Sequence, residues 1–195
     1  MSTLAEVREQ ALTCTRCALA AGRTQVVFGV GDPTAELMFV GEGPGQQEDL
    51  RGEPFVGRSG QFLDRVILDE TGLTRADFYV ANVVKCRPPG NRDPLPDEIS
   101  ACSPWLDQQL DLVDPSVVVT LGNFATKLLL RTTEGITRLR GKAYPFRGGV
   151  LIPTFHPAAV LRGGGEAAAQ MRADLVRAKR HLRPRTVGTG PQVPA

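Results

Sequence analysis

Four apolar runs restrict this chain most: ELMFV (36–40), FYVANVV (78–84), SVVVTL (116–121) and VLIPTF (150–155). None alternates polar with apolar, so each reads as a strand buried on both faces. Helical patterns lie between and around them. Residues 2–13 place Leu4, Val7 and Ala11 near one face. SGQFLDRVILDETG (59–72) sets Phe62, Leu63, Val66 and Ile67 on one stripe. PDEISACSPWLDQQLDLV opens with Pro96 and two acids, which suit a helix N-terminus. NFATKLLL opens on Asn123, a residue able to cap, and 166–182 is rich in strong helix formers. Strands alternating with helices imply an α/β fold in three layers, with a central, mostly parallel four-stranded sheet flanked by helices.

In such sheets the ligand site lies beyond the carboxyl ends of the strands. That rule gathers Gly41–Gly45, Asn82, Gly122–Asn123 and His156 into one region. A chain of 195 residues, 42% apolar and 23% charged, is long enough for one domain, expected over 1–183, with a Pro/Gly-rich tail at 184–195 expected to be disordered. No apolar run reaches the ~20 residues of a membrane helix, and the N-terminus lacks a signal-peptide pattern, so the expected compartment is the cytoplasm. Net charge is only +2, but residues 136–195 hold 11 Lys/Arg against 2 Asp/Glu, whereas residues 1–135 hold 12 against 19. A basic C-terminal third reads either as a polyanion-binding face or as a solvated helix and tail.

The four cysteines are Cys14 and Cys17, in CTRC, and the distant Cys86 and Cys102. In a cytoplasmic chain this set points to a metal site rather than to two disulfides, with four unligated thiols as the plain alternative. Four thiolates suit either Zn²⁺ or a [4Fe–4S] cluster, and spacing does not choose between them. With every ligand position filled, the metal would act as a staple pinning the N-terminal helix to the core.

The loop GEGPGQQEDLRGEPFVGRSG (41–60) holds six glycines and four acids. It lacks the Lys-Ser/Thr of a phosphate loop, so nucleotide binding is disfavoured. Only two histidines exist. His181 lies in an Arg/Lys-rich helix and is expected to be solvated, whereas His156 follows a strand and faces the acidic loop.

That loop, together with NVVKCRPPGNRDP, LGNFA, HPAAVLR and the four cysteines, resembles the family 4 uracil-DNA glycosylases, the iron–sulfur members of their superfamily. The likeness runs in family order from about Leu12 to Leu182. It implies a uracil-DNA glycosylase-like fold, a [4Fe–4S] cluster on Cys14, Cys17, Cys86 and Cys102, no nucleotide cofactor, and hydrolysis of the N-glycosidic bond of deoxyuridine flipped out of DNA, by a monomer. His156 would donate to uracil O2 as a neutral imidazole, a preorganised donor worth ~3 kcal/mol. Asn82 would read N3–H and O4 with its amide, a pattern that cytosine reverses. Phe55 would stack on the base, worth ~1–3 kcal/mol. Without the motif, Asn82 reads as a strand-end turn residue and Phe55 as core. Glu42 and Glu48 would stand near the sugar and the ring, stabilising positive charge and positioning water. Gly43 would let the backbone approach the base. Asp49 and Glu53 are expected to be solvated.

Family 1 enzymes carry Gly-Gln-Asp-Pro-Tyr at this loop. Here Gly43 offers no carboxylate and Gly45 no ring, so water and thymine must be handled otherwise, with Glu48 as the wall against thymine's methyl group. Phosphate contacts are expected from Arg58, Arg87, Arg92, Arg138 and Arg162, with Arg140 and Lys142 also available. Val160 or Leu161 would wedge into the duplex. The region near Arg92 lacks the inserted histidine loop of a cross-linking branch of the superfamily, so turnover is expected. Outside the glycosylase reading, the competing readings are a non-enzymatic nucleic-acid-binding module and a redox carrier. One metal site beside a full pocket constellation, with no second centre, speaks against the carrier.

Overall fold

A computed structural model describes residues 2–183. The expectations for the tail at 184–195 lie outside the described residues. In chain order the elements are α1 (Leu4–Leu12), β1 (Val30–Gly31), β2 (Leu37–Gly41), α2 (Gln46–Arg51), α3 (Arg58–Thr71), β3 (Tyr79–Asn82), α4 (Pro96–Val113), β4 (Val117–Leu121), α5 (Asn123–Leu130), α6 (Ile136–Leu139), β5 (Tyr144–Phe146), β6 (Gly149–Thr154), α7 (Pro157–Gly163) and α8 (Gly165–His181). All four apolar runs form strands, and they pair in parallel in the order β3-β2-β4-β6.

The sheet has six strands rather than the expected four. Strand β1 joins β3 and strand β5 joins β6, both antiparallel at the edges. Two and three residues are too short to leave an apolar run in the sequence, and short edges are how sheets avoid further pairing. The β5–β6 hairpin closes through Arg147 and Gly148, both at positive φ, the turn chemistry that a two-residue hairpin needs.

Period-two side-chain alternation sends the strands' apolar residues to opposite faces. Leu37, Phe39, Val117, Val119 and Ile152 meet Leu63, Ile67 and Leu175 from α3 and α8. Met38, Val40, Val118 and Leu151 belong to the other core, with Val7, Ala11, Leu106 and Leu110 of α1 and α4. This gives the three layers. Helix α1 is closed by a capping box: Thr3 Oγ1 accepts from the Glu6 amide, and Glu6 accepts from the Thr3 amide at 2.7 Å. Helix α4 starts at Pro96, with Asp97 and Glu98 in its first turn, as the sequence suggests. Asn123 does not cap α5. Gly122 is the cap residue, and Asn123 Oδ1 instead accepts from the Ile136 amide at 2.8 Å, tying α5 to α6. No described helix is long and apolar enough to cross a membrane.

Candidate active site

The carboxyl ends of β2, β3, β4 and β6 converge on one pocket of about 540 Å³. Glu42, Gly43, Phe55, Asn82 and His156 all line it. The β2–β3 pairing runs past the strand ends, since the Val83 and Val84 amides donate to the carbonyls of Gly41 and Glu42. This extension fixes the loop that carries Glu42 against the strand that carries Asn82.

Asn82 is almost fully buried, and its Oδ1 has no hydrogen-bond partner. A buried amide oxygen without a partner is costly to the folded state unless a ligand meets it. A Cβ built on Gly41 would collide with both that oxygen and the tip of the Phe55 ring, so the two side chains converge where Gly41 leaves space. A Cβ on Gly43 would lie 2.8 Å from Val84 Cγ2, so the loop passes close to the chain after β3 there.

The Phe55 ring centre lies 6.0 Å from that of His156, tilted by 35°. His156 caps α7, and its Nδ1 accepts from the Ala158 amide at 3.2 Å. The proton of the neutral ring is therefore on Nε2, ready to donate into the pocket. Burial first, and the nearby Arg162 charge second, lower the His156 pKa to about 4, so the ring is uncharged at neutral pH.

The acids of the loop differ sharply. Burial, and then the negative charge of Asp93 across the pocket, raise Glu42 to about 7. Glu48 is fixed from the side: its Oε1 accepts from the amides of Val56 at 2.9 Å and Gly57 at 2.8 Å. Asp49 is not solvated as expected; it is buried and accepts from the Thr24 amide at 2.9 Å. Glu53 is exposed, as expected.

Among the basic residues, Arg58, Arg138, Lys142 and Arg162 are exposed, and Arg162 lines the pocket. Arg87 holds Asn91 Oδ1 at 2.7 Å. Arg92 also lines the pocket, with a two-pronged bond to the buried Glu98 at 2.6 and 2.9 Å. Arg140 is engaged by Asp174 and the Gln170 carbonyl, which corrects its expected availability to phosphate. Val160 is buried in the core, whereas Leu161 is 46% exposed. Part of the basic C-terminal third pairs with acids elsewhere in the chain: Arg147 with Asp107 and Asp111, and Arg172 with Asp69 and Glu70. His181 is exposed, as expected.

Cys14, Cys17, Cys86 and Cys102 line a second pocket. All four are free thiols, and among the described residues no three His, Cys, Asp or Glu side chains are grouped as ligands of a metal ion. Donors surround the sulfurs. The Lys85 amide donates to Cys102 Sγ at 3.2 Å and Arg23 to Cys86 Sγ at 3.4 Å, while the buried Trp105 indole N–H faces Cys14. The Lys85 side chain is wholly buried and runs the other way, donating to the Asn82 carbonyl at 2.6 Å and to Gln109 Oε1 at 2.5 Å. It thus joins the strand end bearing Asn82 to the helix bearing Cys102. Lys85, Gln109, Asp93 and Trp105 escape the sequence reading. Trp105 alone carries a signal, as the chain's single tryptophan one helical turn after Cys102.

The sequence profile of the Uracil DNA glycosylase superfamily matches residues 28–180. The chain belongs to that superfamily. It is 46% identical to a type-4 uracil-DNA glycosylase of Sulfurisphaera tokodaii, over 83% of this chain and 77% of that one. It is 42% identical to one of Thermotoga maritima, over 91% and 93%. A type-5 uracil-DNA glycosylase of Thermus thermophilus matches at 36% over 65% of this chain and 62% of that one. A solution structure of a candidate uracil DNA glycosylase from Methanosarcina acetivorans shares the fold at a TM-score of 0.50 and 12% identity, covering 77% of this chain and 95% of that one. Within the superfamily, the chain belongs with the type-4 uracil-DNA glycosylases.

Proposed function

We propose that the protein excises uracil from DNA, hydrolysing the N-glycosidic bond of an everted deoxyuridine to leave free uracil and an abasic site. The observation that carries this reading is the unpartnered, buried Asn82 Oδ1 beside the Phe55 ring. A flipped uracil satisfies it with N3–H, while the amide NH₂ donates to O4; cytosine offers the opposite pattern at both places. Phe55 stacks on one face of the base. His156 Nε2–H meets O2, where negative charge grows as the C1′–N1 bond breaks. Ionised Glu42 stands by the sugar, stabilises its developing positive charge and takes a proton from the attacking water, whose oxygen bonds to C1′. Glu48, held by two backbone amides, is a rigid wall against the thymine methyl group.

Cys14, Cys17, Cys86 and Cys102 would hold a [4Fe–4S] cluster. The N–H donors aimed at the sulfurs suit such a group. Bound there, it supplies no reaction step but staples α1, the chain after β3 and α4 together. Arg58, Arg87, Arg92, Arg138 and Arg162 would contact phosphates, and exposed Leu161 would fill the gap left by the base. The enzyme would work in the cytoplasm as a monomeric single domain.

The test is a labelled oligonucleotide carrying one uracil, treated with protein and then alkali. Strand scission at that position is expected. Binding without scission would overturn the enzyme reading in favour of a binding module.

A further inference from the structure

Phe55 presents its ring from an uncommon backbone. Its φ is +56°, in the left-handed region that side-chain-bearing residues seldom adopt. Such conformations persist only where the surroundings hold them. Here the main chain is held from two sides. On the amide side, Glu48 Oε1 takes the N–H groups of Val56 and Gly57. On the carbonyl side, the guanidinium of Arg75 spans two successive oxygens, donating through Nη1 to Pro54 at 3.0 Å and through Nη2 to Phe55 at 2.5 Å. Its third edge, Nε–H, donates to Asp64 Oδ1 of α3 at 2.6 Å. Gly60, on the same helix, completes the seat, since any Cβ there would overlap the Phe55 carbonyl.

Arg75 stands in the connection between α3 and β3, outside the pocket lining, yet two of its hydrogen bonds hold the turn that aims the stacking ring and the third anchors it to Asp64. We propose that Arg75, oriented by Asp64, is a positioning residue for base recognition: it fixes the Phe55 platform on which the everted uracil stacks. This rests on the glycosylase reading above. A lysine could not reproduce the role, because an ammonium lacks the planar fork that spans two carbonyls and a carboxylate together.

The test is a double-mutant cycle on the single-turnover excision rate and on inhibition by free uracil, run well below the melting temperature of every variant. Arg75→Met should lower excision by about five- to 150-fold, the range that one base–aromatic stack contributes. It should weaken inhibition by free uracil in parallel and leave binding to undamaged DNA unchanged. In a Phe55→Ala background the same substitution should cost less than about twofold, because its effect passes through the ring. Methylguanidinium added to Arg75→Met should recover part of the rate. Losses that multiply in the double variant, or an Arg75→Met enzyme with normal excision, overturn the proposal. If Arg75→Met does not fold, Asp64→Asn takes its place, with a smaller loss that likewise disappears without the ring; a loss that persists there overturns the proposal too. A wild-type protein that leaves uracil in place defeats the glycosylase reading itself, a result distinct from any of these.

Discussion

The pH dependence of excision tests the division of labour between Glu42 and His156. Burial, and behind it Asp93, raise Glu42 from 4.5 to about 7, and burial together with Arg162 lowers His156 from 6.5 to about 4. If ionised Glu42 is the working form, kcat/KM falls about tenfold per pH unit below that inflection, to about 1% of its plateau at pH 5. His156 stays neutral throughout that range and adds no limb of its own. The profile therefore rises once and then levels, rather than forming a bell. Asp93→Asn removes the like charge and moves the inflection down. It does not reach the ordinary carboxylate range, because burial is the larger cause. Glu42→Gln lowers the plateau and flattens the profile. The assay is single-turnover cleavage of a one-uracil oligonucleotide from pH 5 to 9 at constant ionic strength, with DNA affinity measured separately because phosphate contacts respond to salt. A flat wild-type profile, a rate that falls as pH rises through 7, or an upward shift in Asp93→Asn would refute this assignment.

Further outcomes follow from the same geometry. Asn82→Asp should lose uracil release at neutral pH, since an ionised acid cannot donate to O4; unaltered release at neutral pH removes Asn82 from base reading. Leu161→Ala should reduce activity on duplex far more than on single strands, and equal losses on both would sink the wedge role. Freshly purified protein should show visible absorption that Cys86→Ser abolishes along with a fall in melting temperature; a colourless protein with one zinc per chain would refute the cluster.

The central sheet was legible because burial on both faces leaves apolar runs that no solvent-facing strand needs, and each run became a strand. The edge strands were not, since Val30–Gly31 and Tyr144–Phe146 are shaped by their neighbours rather than by a local pattern. Asn82 and His156 could be found because strand ends mark the site in a parallel sheet. Asp49 was misjudged because an acid with a distant backbone partner looks, in sequence, like any surface acid. Charge asymmetry left two readings open in sequence: Arg147 and Arg172 find their acids far away along the chain, whereas Arg138, Lys142 and Arg162 stay exposed.

The linear order of residues therefore settled which segments are strands, which strand ends carry chemistry, and which family the motifs resemble, since all of these depend on short-range patterns. Folding settled that Glu42 shares its pocket with Asp93, that the His156 proton is on Nε2, and that Arg75 grips the turn presenting Phe55. Those facts depend on burial and on contacts between distant segments. Burial sets protonation and non-local contacts set aim, and neither is encoded in a residue's neighbours along the chain.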